Sequence, residues 1–190
     1  MKSVLISIQP KWCELIASGK KTVEVRKTKP KLETPFKVYI YCTKDEPLYR
    51  SGEKFWCKTA GEFGNGKVIG AFVCDKIYEG ILRKTEFIDS VNIGYDKTCV
   101  PIDELAKYLD AYGICGEFNF YGWHISDLVI YDKPRELAEF KRVCDGNCQG
   151  CKYAIWESQG WYHELKIVDC KRITAPQSWC YVYEAKNETN

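Results

Sequence analysis

The chain has 190 residues, 45% hydrophobic and 28% charged, with 28 basic and 26 acidic side chains and a formal net charge of +2. That length suits one domain-sized core and excludes two full-sized domains. The balance excludes a disordered tail, a collagen-like repeat, a coiled coil and a histone-like polycation. What stands out is eleven cysteines, and 13 Tyr with 6 Trp, side chains that join an apolar body to a polar edge.

The elements follow in chain order. Ser3 to Ile8 is a β-rich run. Pro10 suits the first turn of a helix over Lys11 to Ser18, with Trp12, Leu15 and Ile16 at helical spacing and Gly19 as its stop. Lys20 to Lys27 alternates as a strand, with Val23 and Val25 on one face and Thr22, Glu24 and Arg26 on the other. Pro30 and Pro35 punctuate a connector to a third strand from Lys37 to Thr43. Residues from about 44 to 66 are rich in turn formers and charges and read as a surface insertion.

A long strand or bent pair follows at Lys67 to Glu79, then an amphipathic helix at Ile102 to Tyr112 with Leu105 and Leu109 on one face. Next come a β-rich run from Phe118 to Tyr131, a short helix from Pro134 to Val143 and a Cys-rich loop at about 144 to 163. Closing strands lie near Leu165 to Cys170 and Trp179 to Glu184. The pattern is α+β and β-rich, a small β-barrel with short flanking helices and a Cys-rich insertion, in a single domain over residues 1 to 190.

The first apolar run ends at Gln9 and Pro10, too short for a secretory leader, and nowhere do 18 apolar residues run together. A cytoplasmic protein with no membrane partner is expected. In a reducing compartment an odd number of cysteines reads as thiols and metal ligands, not as a disulfide framework. Cys42, Cys74 and Cys180 sit in strand-like runs and read as small core hydrophobes. Cys144, Cys148 and Cys151 fall within eight residues that include two glycines and an Asn, where the backbone can turn around one point. With Cys170, or His163 as the alternative fourth ligand, they would make a closed tetrahedral site for one structural zinc. Simple loop thiols are the competing reading. No organic cofactor is expected.

Charge is unevenly spread. Residues 20 to 37 carry seven basic side chains against two acidic ones, leaving 21 basic and 24 acidic elsewhere. A cationic face around the second strand suits a phosphate-bearing ligand, although lysines also serve simply to solvate an edge strand.

The run Ser7-Ile-Gln-Pro-Lys-Trp-Cys-Glu-Leu-Ile-Ala-Ser-Gly-Lys-Lys-Thr-Val-Glu-Val-Arg-Lys27 resembles the opening of an ASCH domain, the activating-signal-cointegrator homology domain of the PUA-like superfamily. Tyr121-Gly-Trp-His-Ile-Ser-Asp-Leu-Val-Ile130 and Pro176-Gln-Ser-Trp-Cys-Tyr-Val182 resemble later strands of its longer bacterial and phage members. The resemblance implies a PUA-like barrel with a ligand cleft between barrel and first helix, and RNA, a nucleotide or a modified nucleoside as partner. Small N4-acetylcytidine amidohydrolases of this superfamily use a Lys, a Thr and a Glu. Their Lys corresponds to Lys21, whereas Glu24 stands where their Thr would be.

Residue chemistry points to the same strand. Glu24 and Arg26, two apart, project from one face on the order of 7 Å from each other, within reach of one small ligand. Arg26 offers a planar fork to phosphate or a base carbonyl, and Glu24 can accept from an exocyclic amine. Lys20 and Lys21 stand at the turn into the strand, Lys21 as an anion binder or, with a depressed pKa, a nucleophile. Trp12 and Trp179 can stack on a base, though Trp12 equally suits core packing. Ligand-binding candidates are therefore Trp12, Lys20, Lys21, Glu24, Arg26 and Trp179. In a hydrolase, either an amidohydrolase or a ribonuclease, Lys21 and Glu24 would be the catalytic pair.

Overall fold

A computed structural model of the chain describes residues 2–44, 66–85, 89–91, 95–111, 113–143, 155–159, 162–166 and 174–184. Most of the expected insertion at 44 to 66, and Cys144, Cys148, Cys151 and Cys170, lie outside the described residues.

The elements are β1 (Ser3–Ile8), α1 (Pro10–Ala17), β2 (Val23–Arg26), β3 (Phe36–Cys42), β4 (Val68–Cys74), β5 (Ile77–Lys84) and β6 (Asp89–Val91). There follow α2 (Ile102–Tyr108), β7 (Gly116–His124), β8 (Ser126–Arg135), β9 (Phe140–Arg142), β10 (Ile155–Gln159), β11 (Tyr162–Lys166) and β12 (Trp179–Glu184). The fold is β-rich α+β, as its alternating runs and short helical stretches predict.

Six strands form one sheet in the order β8, β4, β3, β1, β12, β9, and four form a second in the order β2, β7, β5, β6. β10 and β11 pair as a separate hairpin. Register shifts between Ile40 and Tyr41, Val68 and Gly70, and Ala71 and Val73 add local twist, and the large sheet curls into a half-barrel. The chain changes sheets twice at one place, between β4 and β5 and between β7 and β8, where the His124 amide donates to the Lys76 carbonyl at 2.9 Å.

The main core lies on the concave face of the large sheet. Val4, Ile6, Val38, Ile40 and Phe72 meet Cys13 and Ile16 of α1 and Trp123 of β7 there. The opposite face of the large sheet buries Leu5, Tyr39, Tyr41, Val68 and Val182 with Phe140. Behind the small sheet, Val25, Leu82 and Phe120 pack on Leu105, Ala106 and Leu109 of α2. The small sheet is thus covered on both faces.

Two expected elements differ. The helix expected from Pro134 to Val143 is instead the end of β8, a 3-10 turn at Leu137–Glu139 and β9. Glu136 and Glu139 form a reciprocal capping box, a helix-start signal spent on a single turn. Phe140 then buries and β9 pairs with Val182 to Glu184, so sheet pairing overrides the helical signal. The helix expected to reach Tyr112 ends at Tyr108, because Asp110 takes a left-handed conformation at φ 59°.

Candidate functional site

Gly19, at φ 74°, ends α1 in the left-handed conformation that glycine adopts without strain. The Lys21 amide then donates to the Leu15 carbonyl at 2.9 Å, which turns the chain back under the helix and points Lys21 inward. Lys20, one residue earlier, remains exposed.

β2 is buried along its whole length. Val23 and Val25 lie opposite His124 and Gly122, and Glu24 and Arg26 lie opposite Trp123 and Tyr121. Because opposed residues share a face, Glu24 and Arg26 look into the space between the two sheets. The sequence reads that polar face as a solvent or ligand face; β1 and α1 cover it, the Ser7 carbonyl meeting Arg26 and the Trp12 ring lying beside Lys21.

Three charges meet there. Lys21, Glu24 and Arg26 are 1%, 4% and 8% exposed. Glu24 Oε2 is 3.3 Å from Lys21 Nζ, and Oε1 is 3.0 Å from Arg26 Nη1. Lys21 Nζ also donates to the carbonyls of Val23, at 2.9 Å, and Thr98. Arg26 Nη2 donates to the Ser7 carbonyl of β1, and Nη1 approaches the Val25 carbonyl at 3.3 Å. Among the described residues, buried Arg26 Nε has no acceptor, and neither has the buried indole nitrogen of Trp123 on the same sheet face. Desolvation holds the Lys21 pKa below the usual lysine value, and the nearby Glu24 carboxylate offsets only part of it.

Aromatic rings wall the triad. Lys21 Nζ lies 5.3 Å from the centre of the half-buried Trp12 ring, and Lys11 Nζ lies 4.4 Å from it. Lys11 also reaches Glu104 of α2 at 2.6 Å, bridging the two helices across this indole. On the side of β12, Trp179 sits 5.9 Å from Trp123, and its indole nitrogen donates to Thr28 Oγ1 at 3.1 Å.

Of the six ligand-binding candidates, Lys21, Glu24 and Arg26 form one cluster, Trp12 covers it, and Trp179 joins through Trp123. Lys20 does not converge with them. Sequence reasoning missed Thr98 and Ser7, which contribute main-chain carbonyls and so leave no side-chain signal. It also missed Trp123 as the neighbour of Glu24, visible only once β2 and β7 are paired. His124 makes a 2.7 Å contact with Asp75 on the opposite face. Among the described residues no three His, Cys, Asp or Glu side chains converge as a metal set. His163 lies on β11 opposite Ser158.

Among solved structures, the ASCH protein of Zymomonas mobilis matches at 18% identity and a TM-score of 0.46, covering 71% of this chain and 73% of that one. Two single-residue variants of that protein match with the same identity and TM-score, covering 72% and 71% of this chain and 77% and 74% of theirs. No curated protein matches. The ASCH domain family model matches residues 6–189, nearly the whole length, and the chain belongs to the ASCH domain family.

Proposed function

We propose that this protein binds RNA, a nucleotide or a modified nucleobase through the Lys21, Glu24 and Arg26 cluster, with Trp12 and Trp179 beside the base. The observation that carries this reading is the triad itself, two cations and one anion under cover, with Arg26 Nε lacking an acceptor among the described residues. Buried charge is costly in a merely structural role, and perturbed ionisable groups gather at functional sites. A net positive, aromatic-walled cluster suits a ligand with a flat π face and an oxygen acceptor.

Titration calorimetry with the four ribonucleoside monophosphates tests it. At least one binds, and Glu24→Gln and Arg26→Lys, each verified as folded by circular dichroism, weaken it at least ten-fold. Wild-type protein that binds none, or variants that bind as well as wild type, overturn the reading.

A hydrolase using the same residues is the second reading, favoured by the desolvated Lys21 amine beside a carboxylate. Against it, the Nζ group already has three oxygen neighbours, Val23, Thr98 and Glu24, which hold it as a donor. Acetate release from N4-acetylcytidine, lost in Lys21→Met, would favour the hydrolase over a binder.

A further inference from the structure

β12 carries Trp179, Tyr181 and Tyr183 at alternate positions, which places all three on one face of the large sheet. The register identifies that face: Tyr181 lies opposite Val4, a residue of the concave core, while Val182 is buried on the other side. The aromatic residues run outward from the triad. Trp179 leans on the fully buried Trp123 at 5.9 Å and on Tyr181 at 5.4 Å, and Tyr183, at the far end, is 43% exposed. Alternate residues on a strand stand about 6.6 Å apart, a step comparable with that between successive nucleotides in an extended single strand.

Lysines flank this ladder. Lys2 Nζ lies 3.8 Å from the centre of the Tyr181 ring, and the Lys31 amide donates to the Tyr181 hydroxyl at 2.7 Å, anchoring the 27–35 connector against β12. Lys29 stands 5.0 Å from the Tyr121 ring, with its charge shared by Glu79 at 2.9 Å. Lys141 of β9 is exposed and lies opposite Tyr183, hence on the same face. Glu33 is the one acidic residue of the connector, and it is exposed.

We infer that this strip is the path of a single-stranded nucleic acid leading to the triad, so that the ligand is one nucleotide of a strand and not a free nucleoside. The inference rests on the binding reading above and extends it to neighbouring nucleotides: bases stack on Tyr181 and Tyr183, and phosphates run past Lys2, Lys31 and Lys141. Sequence-tolerant stacking beside a cationic rim is how single strands are held, and a duplex, its bases already stacked, cannot use the ladder.

Fluorescence anisotropy with labelled octauridylate and octacytidylate, each also as an RNA duplex and as the DNA analogue, tests this against uridine and cytidine monophosphate. At least one single-stranded octamer binds more tightly than its monophosphate and than its duplex; the DNA arm reports whether the 2′-hydroxyl matters. Tyr183→Ala, at an exposed position, weakens the octamer roughly ten-fold and leaves the monophosphate unchanged. Lys2→Ala with Lys141→Ala makes the logarithmic salt slope shallower by about 0.7 for each lysine lost. Octamers that bind no better than monophosphates, duplexes that bind as well as single strands, or variants without effect overturn the inference. Failure of the ladder variants with monophosphate binding intact would leave the triad reading standing; loss of octamer binding in Tyr183→Ala but not in Glu24→Gln would overturn the triad reading and, with it, the path to the triad.

Discussion

The Lys21 ammonium lies 3.3 Å from Glu24 Oε2, and the other oxygen of that carboxylate lies 3.0 Å from the Arg26 guanidinium. Among the described residues Glu24 is therefore the one anion holding two buried cations together. Removing its charge and removing that of Lys21 are not equivalent. Glu24→Gln leaves two like charges buried with no counterion and is expected to cost on the order of 3 kcal/mol. Lys21→Met leaves the neutral Glu24 and Arg26 pair intact and strands the Val23 and Thr98 carbonyls, about 1 to 2 kcal/mol. Urea denaturation gives the order; Lys21→Met proving the more damaging would refute this account of the triad.

The depressed Lys21 pKa sets a sign for alkaline pH. In the unfolded chain the amine titrates near its ordinary value of 10.5, and burial lowers it in the folded protein. Between the two values the unfolded state binds more protons, so this group adds stability as pH rises through that window. The urea midpoint of wild type relative to Lys21→Met should therefore climb on approaching pH 10.5. Other alkaline titrations are common to both proteins and cancel in the difference. A flat or falling difference would show that Lys21 is not desolvated.

Thiol reactivity should divide by burial. Desolvation pushes the Cys74 thiol up to about 12 and that of Cys180 up to about 11, so neither supplies thiolate at pH 8. Cys13 and Cys42 are enclosed in the core, whereas Cys115 is exposed. Of the described cysteines, brief iodoacetamide treatment of native protein, read by peptide mass spectrometry, should label Cys115 first and spare Cys13, Cys42, Cys74 and Cys180 until urea is added. Equal labelling of Cys74 and Cys115 would contradict the fold around β4.

Legibility followed the range of the interactions. β1, α1, β2 and β3 could be read because Pro10, Gly19 and the Val-Glu-Val-Arg alternation are local signals, each acting within a few residues. The burial of Glu24 and Arg26 could not, because their cover comes from Ser7 and from Trp123, about a hundred positions away. Lys20 stays outside the cluster for a local reason: the turn after Gly19 leaves Lys20 exposed and buries Lys21. The helix expected at Pro134 had good local start signals and yielded to pairing with β12, a long-range contact.

β1 lies between β3, in parallel, and β12, antiparallel. β1 precedes β12 in synthesis and therefore cannot complete its hydrogen bonding until that strand arrives, and the Ser7 amide waits for the Ser178 carbonyl. During translation, the residues that carry the triad exist long before Trp179, which packs on Trp123. Arg26, which donates to the Ser7 carbonyl, and Lys21, beside Trp12, are covered by elements near them in the chain, whereas Trp179 reaches Trp123, the neighbour of Glu24, only when β12 docks. Completion of the large sheet and the packing of Trp179 on Trp123, the neighbour of Glu24, are then one event.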